Sequence, residues 1–412
     1  MLMHLDRPHA KAGGFSEILA DTGPAYFANG LIGFIFAATG PVAIILSAGM
    51  GGGLTQAELA SWVFGVFFIN GLITIVLSWR YRMPLGFAWT IPGTVLVGQA
   101  LHHLSIAEVV GAYYATSLVI MLMGATGWVK RLMALLPMPI VMGMVAGVFL
   151  RFGLDLVRAV HSDAFIGVPM VAAFILLSAI PSWGRRFPPV IGALVAGALG
   201  IAVSGRFHPE TLGTFTIAHP VIQAPVFSVA ALVELVVPLA ITVLVVQNGQ
   251  GVAVLRTGKH EPPVNTIAFM SGVGAMLSAL VGAVSSCLTG PTNALLISSG
   301  ELHRHYTAAL AFGLLGVLFG IFAPTFTGLM LATPKEYIMV LGGLAMLRVL
   351  QGSFISSFGA GKFTLGALIS LLVTVADISL LNIGAAFWGL VAGFVVSSMM
   401  EQHDFAELAA KA

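Results

Sequence analysis

The feature that most constrains this chain is a series of apolar stretches about 20 residues long, the length that an α-helix needs to cross a lipid bilayer. Hydrophobic residues make up 58% of the sequence and charged residues only 8%, against about 45–50% and about 25% in soluble proteins. We therefore predict an all-α polytopic membrane protein. Twelve full spans are predicted at residues 24–47, 56–79, 106–127, 137–157, 164–182, 187–204, 229–255, 263–283, 304–325, 337–356, 363–381 and 383–400.

Two further apolar stretches, 87–104 and 285–300, are shorter, and each opens with a cluster of Gly, Pro and Thr. Proline favours the first turn of a helix, and the β-branched and aromatic residues ahead of it favour an extended strand. We predict two half-helices, each preceded by a short strand, which brings the number of segments to fourteen. The competing interpretation is a proline kink in each of two ordinary helices.

The distribution of basic residues predicts the orientation of the chain in the membrane. Thirteen of the 18 Lys and Arg residues fall in loops and ends on the side of the N-terminus, and three fall in loops on the other side. Short cytoplasmic loops are rich in Lys and Arg. Both termini are therefore predicted to be cytoplasmic, with residues 1–20 forming a cytoplasmic lead and 401–412 a cytoplasmic tail. The net charge of +2 with no polybasic block argues against nucleic-acid binding.

The two halves of the chain share sequence features at a nearly constant spacing of about 200 residues. The run 194–197 recurs at 390–393, Arg151 corresponds to Arg348, and Pro92 corresponds to Pro291. Because seven is an odd number of crossings, the second copy of a seven-segment repeat enters the membrane from the opposite side to the first. Such inverted repeats with interrupted helices are typical of secondary transporters. We predict a first repeat at 21–204, a connecting loop at 205–228 and a second repeat at 229–400. Core and gate domains are expected to be interleaved across both repeats.

The two interrupted segments are the predicted substrate site. Helix N-termini carry free N–H groups and a partial positive charge, so helix starts near Gly93 and Gly290 that face each other would suit an anion. The run Gln247-Asn248-Gly249-Gln250 places amides in an apolar helix, where polar side chains usually face the protein interior. Its counterpart in the first half is the run 39–43. The competing role for the amides is hydrogen bonding between helices.

Charged residues within the predicted spans are candidates for gating or proton coupling. Arg151 and Asp155 are four residues apart on one helix and are predicted to pair, as a structural ion pair in preference to a gate. Arg348 has no acidic residue at that spacing, so we expect its partner to be Asp377 or a backbone carbonyl. Glu234 and Asp377 are candidate proton carriers. The histidines are predicted to be interfacial: His102, His103, His303 and His305.

No catalytic motif is present in the sequence. It has no GxSxG, HExxH or Walker A sequence and no glycine-rich dinucleotide fingerprint. The single cysteine, Cys287, excludes an intrachain disulfide. We therefore predict no enzymatic activity, no cofactor and no metal, and no transport driven by the chain's own ATP hydrolysis.

The motifs Pro137–Gly153, Gln247–Gly251 and Leu288–Asn293 resemble the bacterial benzoate/proton symporter family, with a likeness that runs from about residue 15 to about residue 400. The resemblance implies import of benzoate or a close aromatic acid with protons across the inner membrane. More distantly, the arrangement is similar to the nucleobase/ascorbate and sulfate-type anion transporters, which have seven plus seven inverted segments. The substrate glutamates of the uracil-transporting members are absent here, with Gln247 at the place of one of them.

We therefore predict a secondary transporter of an aromatic carboxylate that works by alternating access. Its partners are expected to be the substrate, protons and the lipid bilayer, and the oligomeric state is open between monomer and homodimer. The alternatives are a transporter of a nucleobase or inorganic anion, an anion channel and a membrane-embedded enzyme. No Asp or Glu lies in the four stretches expected to line the site, which favours an anionic cargo. The predicted substrate-binding residues are Phe87, Ala88, Trp89, Thr90, Gly93, Gln247, Thr289, Gly290, Thr292 and Asn293.

Overall fold

The chain is helical along most of its length. The computed structural model describes residues 4–8, 12–129, 131, 137–180, 189–208, 215–298, 300–378, 380 and 385–411. The helices of the first half are α1 Phe15–Asp21, α2 Pro24–Ala38, α3 Gly40–Gly51, α4 Gln56–Phe64, α5 Asn70–Tyr81, α6 Ile91–Ala100, α7 Ile106–Thr126, α8 Met138–Ser162, α9 Ala164–Ala179 and α10 Pro189–Ser204. Those of the second half are α11 Val229–Ile241, α12 Asn248–Thr257, α13 Val264–Ala279, α14 Gly290–Leu296, α15 His305–Ile321, α16 Ala323–Leu331, α17 Lys335–Phe358, α18 Thr364–Ala376, α19 Ala385–Met400 and α20 Gln402–Lys411.

Seven of the described helices, counted with their continuations, are long and apolar enough to cross a membrane: Pro24–Gly51, Gln56–Tyr81, Ile106–Thr126, Met138–Ser162, Val229–Thr257, Leu302–Ile321 and Lys335–Phe358. Five more predicted spans correspond to helices of only 10–17 residues. Local caps explain some of this shortening. Asp163, for example, ends α8 and accepts a hydrogen bond from the Ile166 N–H at the start of α9. The count of fourteen spans and the inverted repeat stay predictions.

Both interrupted segments have the predicted strand and short helix. Strand β1 Phe87–Trp89 pairs antiparallel with β2 Ser286–Leu288, with Ala88 opposite Cys287. Helix α6 follows β1 and has 10 residues, whereas α14 follows β2 and has seven. Each helix has a proline in its first turn, where the missing N–H costs nothing. The pairing satisfies strand backbone groups that the protein interior would otherwise leave without partners.

The helices form two bundles. In the first bundle, α2 and α5 pack on α15, and α11 and α13 pack on α7, around the two strands. In the second bundle, α17, α18 and α19 pack on or beside α8, and α9 packs on α10 and α17. The bundles meet where α3 contacts α17 and where α6 contacts α8.

Small residues allow close helix contact in the second bundle, where Gly143 and Gly147 are four residues apart, a spacing typical of close helix packing. A Cβ atom at Gly143 would lie 2.4 Å from the carbonyl oxygen of Ala367, and one at Gly147 would lie 2.8 Å from the Cβ of Thr374. Both contacts are made with α18. A larger side chain at either position would force these two helices apart.

The described part of the N-terminal lead packs against the first bundle. Asp6 caps α13, because its carboxylate accepts hydrogen bonds from the N–H groups of Asn265 at 2.8 Å and Thr266 at 3.2 Å. Arg82 forms ion pairs with Glu17 and Asp21. At the other end of the chain, Glu401 accepts hydrogen bonds from the first turn of α18.

The predicted pairing of Arg151 with Asp155 is wrong. Arg151 pairs with Asp377 at the end of α18, and Asp155 pairs with Arg158 at 3.0 Å. The packing of α18 on α8 brings Asp377 to Arg151, a proximity that sequence spacing does not reveal. Asp377 is therefore not the partner of Arg348, whose guanidinium donates to the side chain of Gln351 at 3.3 Å.

Two of the four histidines predicted to be interfacial make side-chain contacts with other parts of the chain. His103 lies 2.9 Å from the carboxylate of Glu234. His305 is buried at the start of α15, and its Nδ1 atom lies 3.1 Å from Nε2 of His260. The prediction is therefore wrong for His305, which is buried, whereas for the exposed His103 it stays a prediction.

Candidate functional site

A small cavity lies where the two strands turn into their helices. Its volume is about 30 Å³, room for one or two water molecules. Most of its wall comes from the first bundle, and α17 contributes one side chain. The lining residues are Phe36, Ala37, Pro41, Ala88, Trp89, Ile91, Gln247, Gln250, Thr289, Pro291, Thr292 and Val349.

Two polar groups at the cavity wall have no hydrogen-bond partner among the described residues. The indole Nε1 atom of Trp89 and the hydroxyl of Thr289 are both buried and unpaired. An unpaired buried polar group costs about 1–3 kcal/mol, so a native structure that retains two at one cavity needs an explanation. Both groups belong to residues that line the cavity, which makes them candidate donors to a bound hydrogen-bond acceptor.

Gln247 and Gln250 reach the cavity from the same helical segment. Helix α11 continues into a π-helical turn, Thr242–Gln247, before α12 begins. Single π-helical turns inside α-helices are frequent at functional sites. The two glutamines are three residues apart, a spacing that places side chains on one helix face. Gln250 was not among the predicted site residues, although this spacing from Gln247 was a signal that could have identified it.

Part of the apolar wall comes from a helix break in the first half. Helix α2 ends at Ala38 and α3 begins at Gly40, while Thr39 has the non-helical angles φ −104° and ψ −95°. Its hydroxyl donates to the carbonyl of Ile35 at 2.9 Å. This break is at the run 39–43 that was predicted as the counterpart of the amide run. The apolar side chains beside it that line the cavity are Phe36, Ala37 and Pro41.

Five of the ten predicted substrate residues lie at the cavity wall, namely Ala88, Trp89, Gln247, Thr289 and Thr292. The other five are not among the lining residues, namely Phe87, Thr90, Gly93, Gly290 and Asn293. The hydroxyl of Thr90 accepts a hydrogen bond from the Gly93 N–H at 3.1 Å, so this N–H of α6 is satisfied within the protein. A Cβ atom at Gly290 would lie 3.0 Å from the Cβ of Gln250.

The cavity wall contains no charged side chain among the described residues. Its polar groups are amides, hydroxyls and the Trp89 indole. Of the residues searched, no group of three His, Cys, Asp or Glu side chains is arranged to hold a metal ion. The wall combines apolar surface with neutral hydrogen-bond donors, a composition that suits an amphipathic organic anion.

The predicted proton-coupling residues lie apart from this wall. Glu234 is buried on α11 and pairs with His103, which follows α6. Asp377 is 44% exposed and pairs with Arg151. Glu234 is on α11, whose π-helical continuation lines the cavity, and His103 follows α6, whose first residue lines it too. Each member of the pair is therefore linked to the cavity wall through its own helix.

The chain is similar in sequence to known membrane transport proteins. The family model described as benzoate membrane transport protein matches residues 20–399. The benzoate membrane transport protein of Acinetobacter baylyi is 30% identical over 89% of this chain and 92% of its own length. The inner membrane protein YdcO of Escherichia coli is 29% identical over 90% of this chain and 95% of its own length.

Among solved structures, the transmembrane domain of the cyanobacterium bicarbonate transporter BicA has a TM-score of 0.55 at 16% identity. The match covers 90% of this chain and 97% of that chain. At this identity the likeness shows the fold alone.

Proposed function

The chain belongs to the benzoate membrane transport protein family, and from this premise we propose that it imports benzoate or a similar aromatic carboxylate together with protons. It is a membrane transporter and not an enzyme. The observation that carries the choice of cargo is the cavity between the two strand ends. Aromatic and aliphatic side chains form most of its wall, and the Trp89 and Thr289 donors of wall residues have no partner among the described residues.

The absence of acidic residues at the described wall supports an anionic cargo. A carboxylate placed 4 Å from a bound carboxylate would repel it by about 4 kcal/mol at an effective dielectric of about 20. Neutral donors impose no such penalty. An uncharged nucleobase, by contrast, presents N–H donors that need acceptors, and only the amide and hydroxyl oxygens of this wall would offer them.

We propose that the transporter works by alternating access in the bacterial inner membrane. The cavity is too small for a benzoate ring in this conformation, but it adjoins a larger cavity of about 490 Å³ between the two bundles. Phe36, Pro291 and Val349 belong to both walls. A small displacement of α17 against the first bundle would join the two cavities and admit the ring.

For proton coupling, we propose the pair of Glu234 and His103. Glu234 is 5% exposed, and its carboxylate oxygen lies 2.9 Å from the Nε2 atom of His103. Glu108 interacts electrostatically with the same histidine, and His102 is its exposed neighbour in sequence. The pair joins α11 to the loop after α6. A change in its protonation would therefore alter how these two elements pack beside the substrate.

The test is uptake of radiolabelled benzoate into proteoliposomes, with and without an imposed inward proton gradient. We expect saturable uptake that the gradient stimulates and that unlabelled benzoate blocks more strongly than uracil or bicarbonate. Uptake that rises linearly with concentration would indicate a channel. Stronger block by bicarbonate or uracil would assign the site to the competing cargo.

The Glu234→Gln variant isolates the coupling step, with Glu58→Gln as its matched control. Glu58 caps α4 and belongs to neither the cavity nor the pair. We expect Glu234→Gln to retain benzoate exchange but to lose stimulation by the proton gradient. Stimulation equal to that of the wild type would overturn the assignment to Glu234.

A further inference from the structure

The larger cavity lies between the two bundles and has an amphipathic wall. From the first bundle it is lined by α2, Thr39 and α14, and from the second by α9, α10 and α17. Most of the lining side chains are aliphatic or aromatic, including Phe36, Phe174 and Leu344. Its volume of about 490 Å³ is within the range of about 300–1,000 Å³ for small-molecule sites.

Arg348 brings a positive charge to this apolar wall. It is the charged side chain among the described residues that line the cavity, and it also lines the groove that continues between α9 and α17. The hydrogen bond from its guanidinium to Gln351, at 3.3 Å, is long and involves a neutral acceptor. A guanidinium has five N–H donors and binds carboxylates with two parallel hydrogen bonds. No other hydrogen bond or ion pair of Arg348 is made with a described residue, so with respect to these residues most of its donors are free for an anion.

The corresponding arginine of the first half lies in a different environment. Arg151 pairs with Asp377, and a second acidic residue, Asp155, lines the same groove. An anion at Arg151 would have to displace or approach carboxylates. No acidic side chain lines the cavity at Arg348 in the described part of the chain. The two arginines thus differ in whether carboxylates lie beside the guanidinium, and neighbouring carboxylates would repel a bound anion.

In the predicted topology, the cavity lies toward one side of the membrane. Ser178 is near the end of α9, Pro189 begins α10 and Leu295 is near the end of α14. The predicted fourteen-segment topology places these three helix ends on the same side of the membrane. The excess of basic residues predicts that this side is the cytoplasm. A substrate that leaves the central cavity in this direction passes Arg348.

We propose that Arg348 forms a second aromatic-carboxylate subsite on the cytoplasmic path of the substrate. The guanidinium holds the carboxylate, and the apolar walls formed by Phe174, Leu344 and Val349 hold the ring. The proposal rests on the proposed function, because it takes the same substrate class as the central cavity. It adds a residue that determines the apparent affinity from one side of the membrane.

The experiment uses the full chain in oriented vesicles, with radiolabelled benzoate as the probe. In vesicles with the cytoplasmic face outward, Arg348→Gln is expected to raise the KM for benzoate by about tenfold or more, the loss of one charge-assisted contact. With the periplasmic face outward, the KM is expected to change less than about twofold. Arg348→Lys keeps the charge and should restore most of the affinity. Arg158→Gln, which removes an exposed arginine elsewhere, is the matched control.

A second variant tests the subsite without removing the arginine. Ser178 lines the same cavity and groove as Arg348. Ser178→Asp would place a carboxylate there and should reproduce the defect of Arg348→Gln, whereas Ser178→Asn should not. If benzoate uptake is normal and neither charge variant changes its KM from the cytoplasmic side, the subsite is refuted while the proposed function stands. Absence of benzoate uptake by the wild type would refute the proposed function itself.

The same guanidinium chemistry would also suit the phosphate of a lipid headgroup. Repeating the assay with and without anionic phospholipid in the vesicles separates the two sources. The subsite predicts that the KM difference between wild type and Arg348→Gln persists in zwitterionic lipid. A difference that appears only with anionic lipid would assign Arg348 to the headgroup and overturn the proposal.

Discussion

Asn293 and Gly86 are joined by two hydrogen bonds, which tie the two interrupted segments together. The Gly86 N–H donates to Oδ1 of Asn293 at 2.9 Å, and Nδ2 of Asn293 donates to the Gly86 carbonyl at 2.9 Å. The same amide nitrogen donates to the Thr289 carbonyl at 2.7 Å. Asn293 therefore fixes the start of β1 against α14, and with it the geometry of the cavity between them.

Asn293→Ala is expected to destabilise the protein. The change leaves the Gly86 N–H and carbonyl buried without this partner, at a cost of about 2 kcal/mol or more. The thermal midpoint in detergent, followed by size-exclusion fluorescence, should fall by several degrees. Asn70→Ala is the matched control, because the Asn70 amide donates within its own helix, to the Val66 carbonyl. Equal midpoints for Asn293→Ala and wild type would contradict this role.

Thr289→Val is expected to separate binding from stability. The buried Thr289 hydroxyl has no described partner, so its loss should not lower the thermal midpoint. Benzoate affinity should fall by about tenfold, because the variant loses one hydrogen bond to a charged group. Thr327→Val removes another buried, unpaired hydroxyl away from the cavity and should leave affinity unchanged. Equal affinities in the two variants would exclude Thr289 from the site.

Acidification is expected to destabilise the protein through His260. Burial, and then the neighbouring His305, lower the pKa of His260 to about 4. An unfolded histidine has a pKa of about 6.5, so the unfolded chain binds a proton in this window that the folded chain does not. The free energy of unfolding therefore falls as the pH decreases from about 6.5 to about 4. At a pH of about 5, the loss is no more than about 2 kcal/mol.

The measurement is the thermal midpoint of wild type and His260→Gln between neutral and acidic pH. The variant should lose less stability on acidification than the wild type. His219→Gln, at an exposed position, should behave as the wild type does. Parallel pH curves for wild type and His260→Gln would show that His260 does not contribute.

The predicted orientation can be tested by cysteine accessibility in a Cys287→Ser background. A cysteine at Lys259 should react with a membrane-impermeant maleimide only after the cytoplasmic side is exposed, whereas one at His219 should react from outside. The basic residues Lys130, Arg185 and Arg186 lie outside the described residues, so Lys259 is the better probe. The reversed pattern of labelling would invert the orientation.

The interrupted segments could be predicted from the sequence because their signals are local. Proline in a first helical turn and extended-favouring residues before it are properties of neighbouring residues, and the structure has both strands and both short helices. The apolar stretches likewise predicted where most helices lie. The exact ends were less predictable, because they depend on caps such as Asp163.

Contacts between distant segments could not be predicted from the sequence. Arg151 meets Asp377 only because α18 packs on α8. Asn293 was predicted to bind substrate, yet its amide is occupied by Gly86 and Thr289. A polar residue near a helix break can face either the cavity or the surrounding protein. Its direction depends on how the neighbouring helices pack, which the sequence does not show.

Equilibrium binding of benzoate to wild type and Gln247→Glu at two pH values tests the central claim most directly. Gln247 is buried at the wall of the cavity, and the change keeps the size of the side chain while adding a negative charge. We predict that wild type binds benzoate saturably, and that Gln247→Glu binds at least about tenfold more weakly near pH of about 8, with partial recovery at acidic pH as the introduced carboxylate takes up a proton. Equally tight binding by the variant across this pH range would contradict an aromatic carboxylate held beside Gln247.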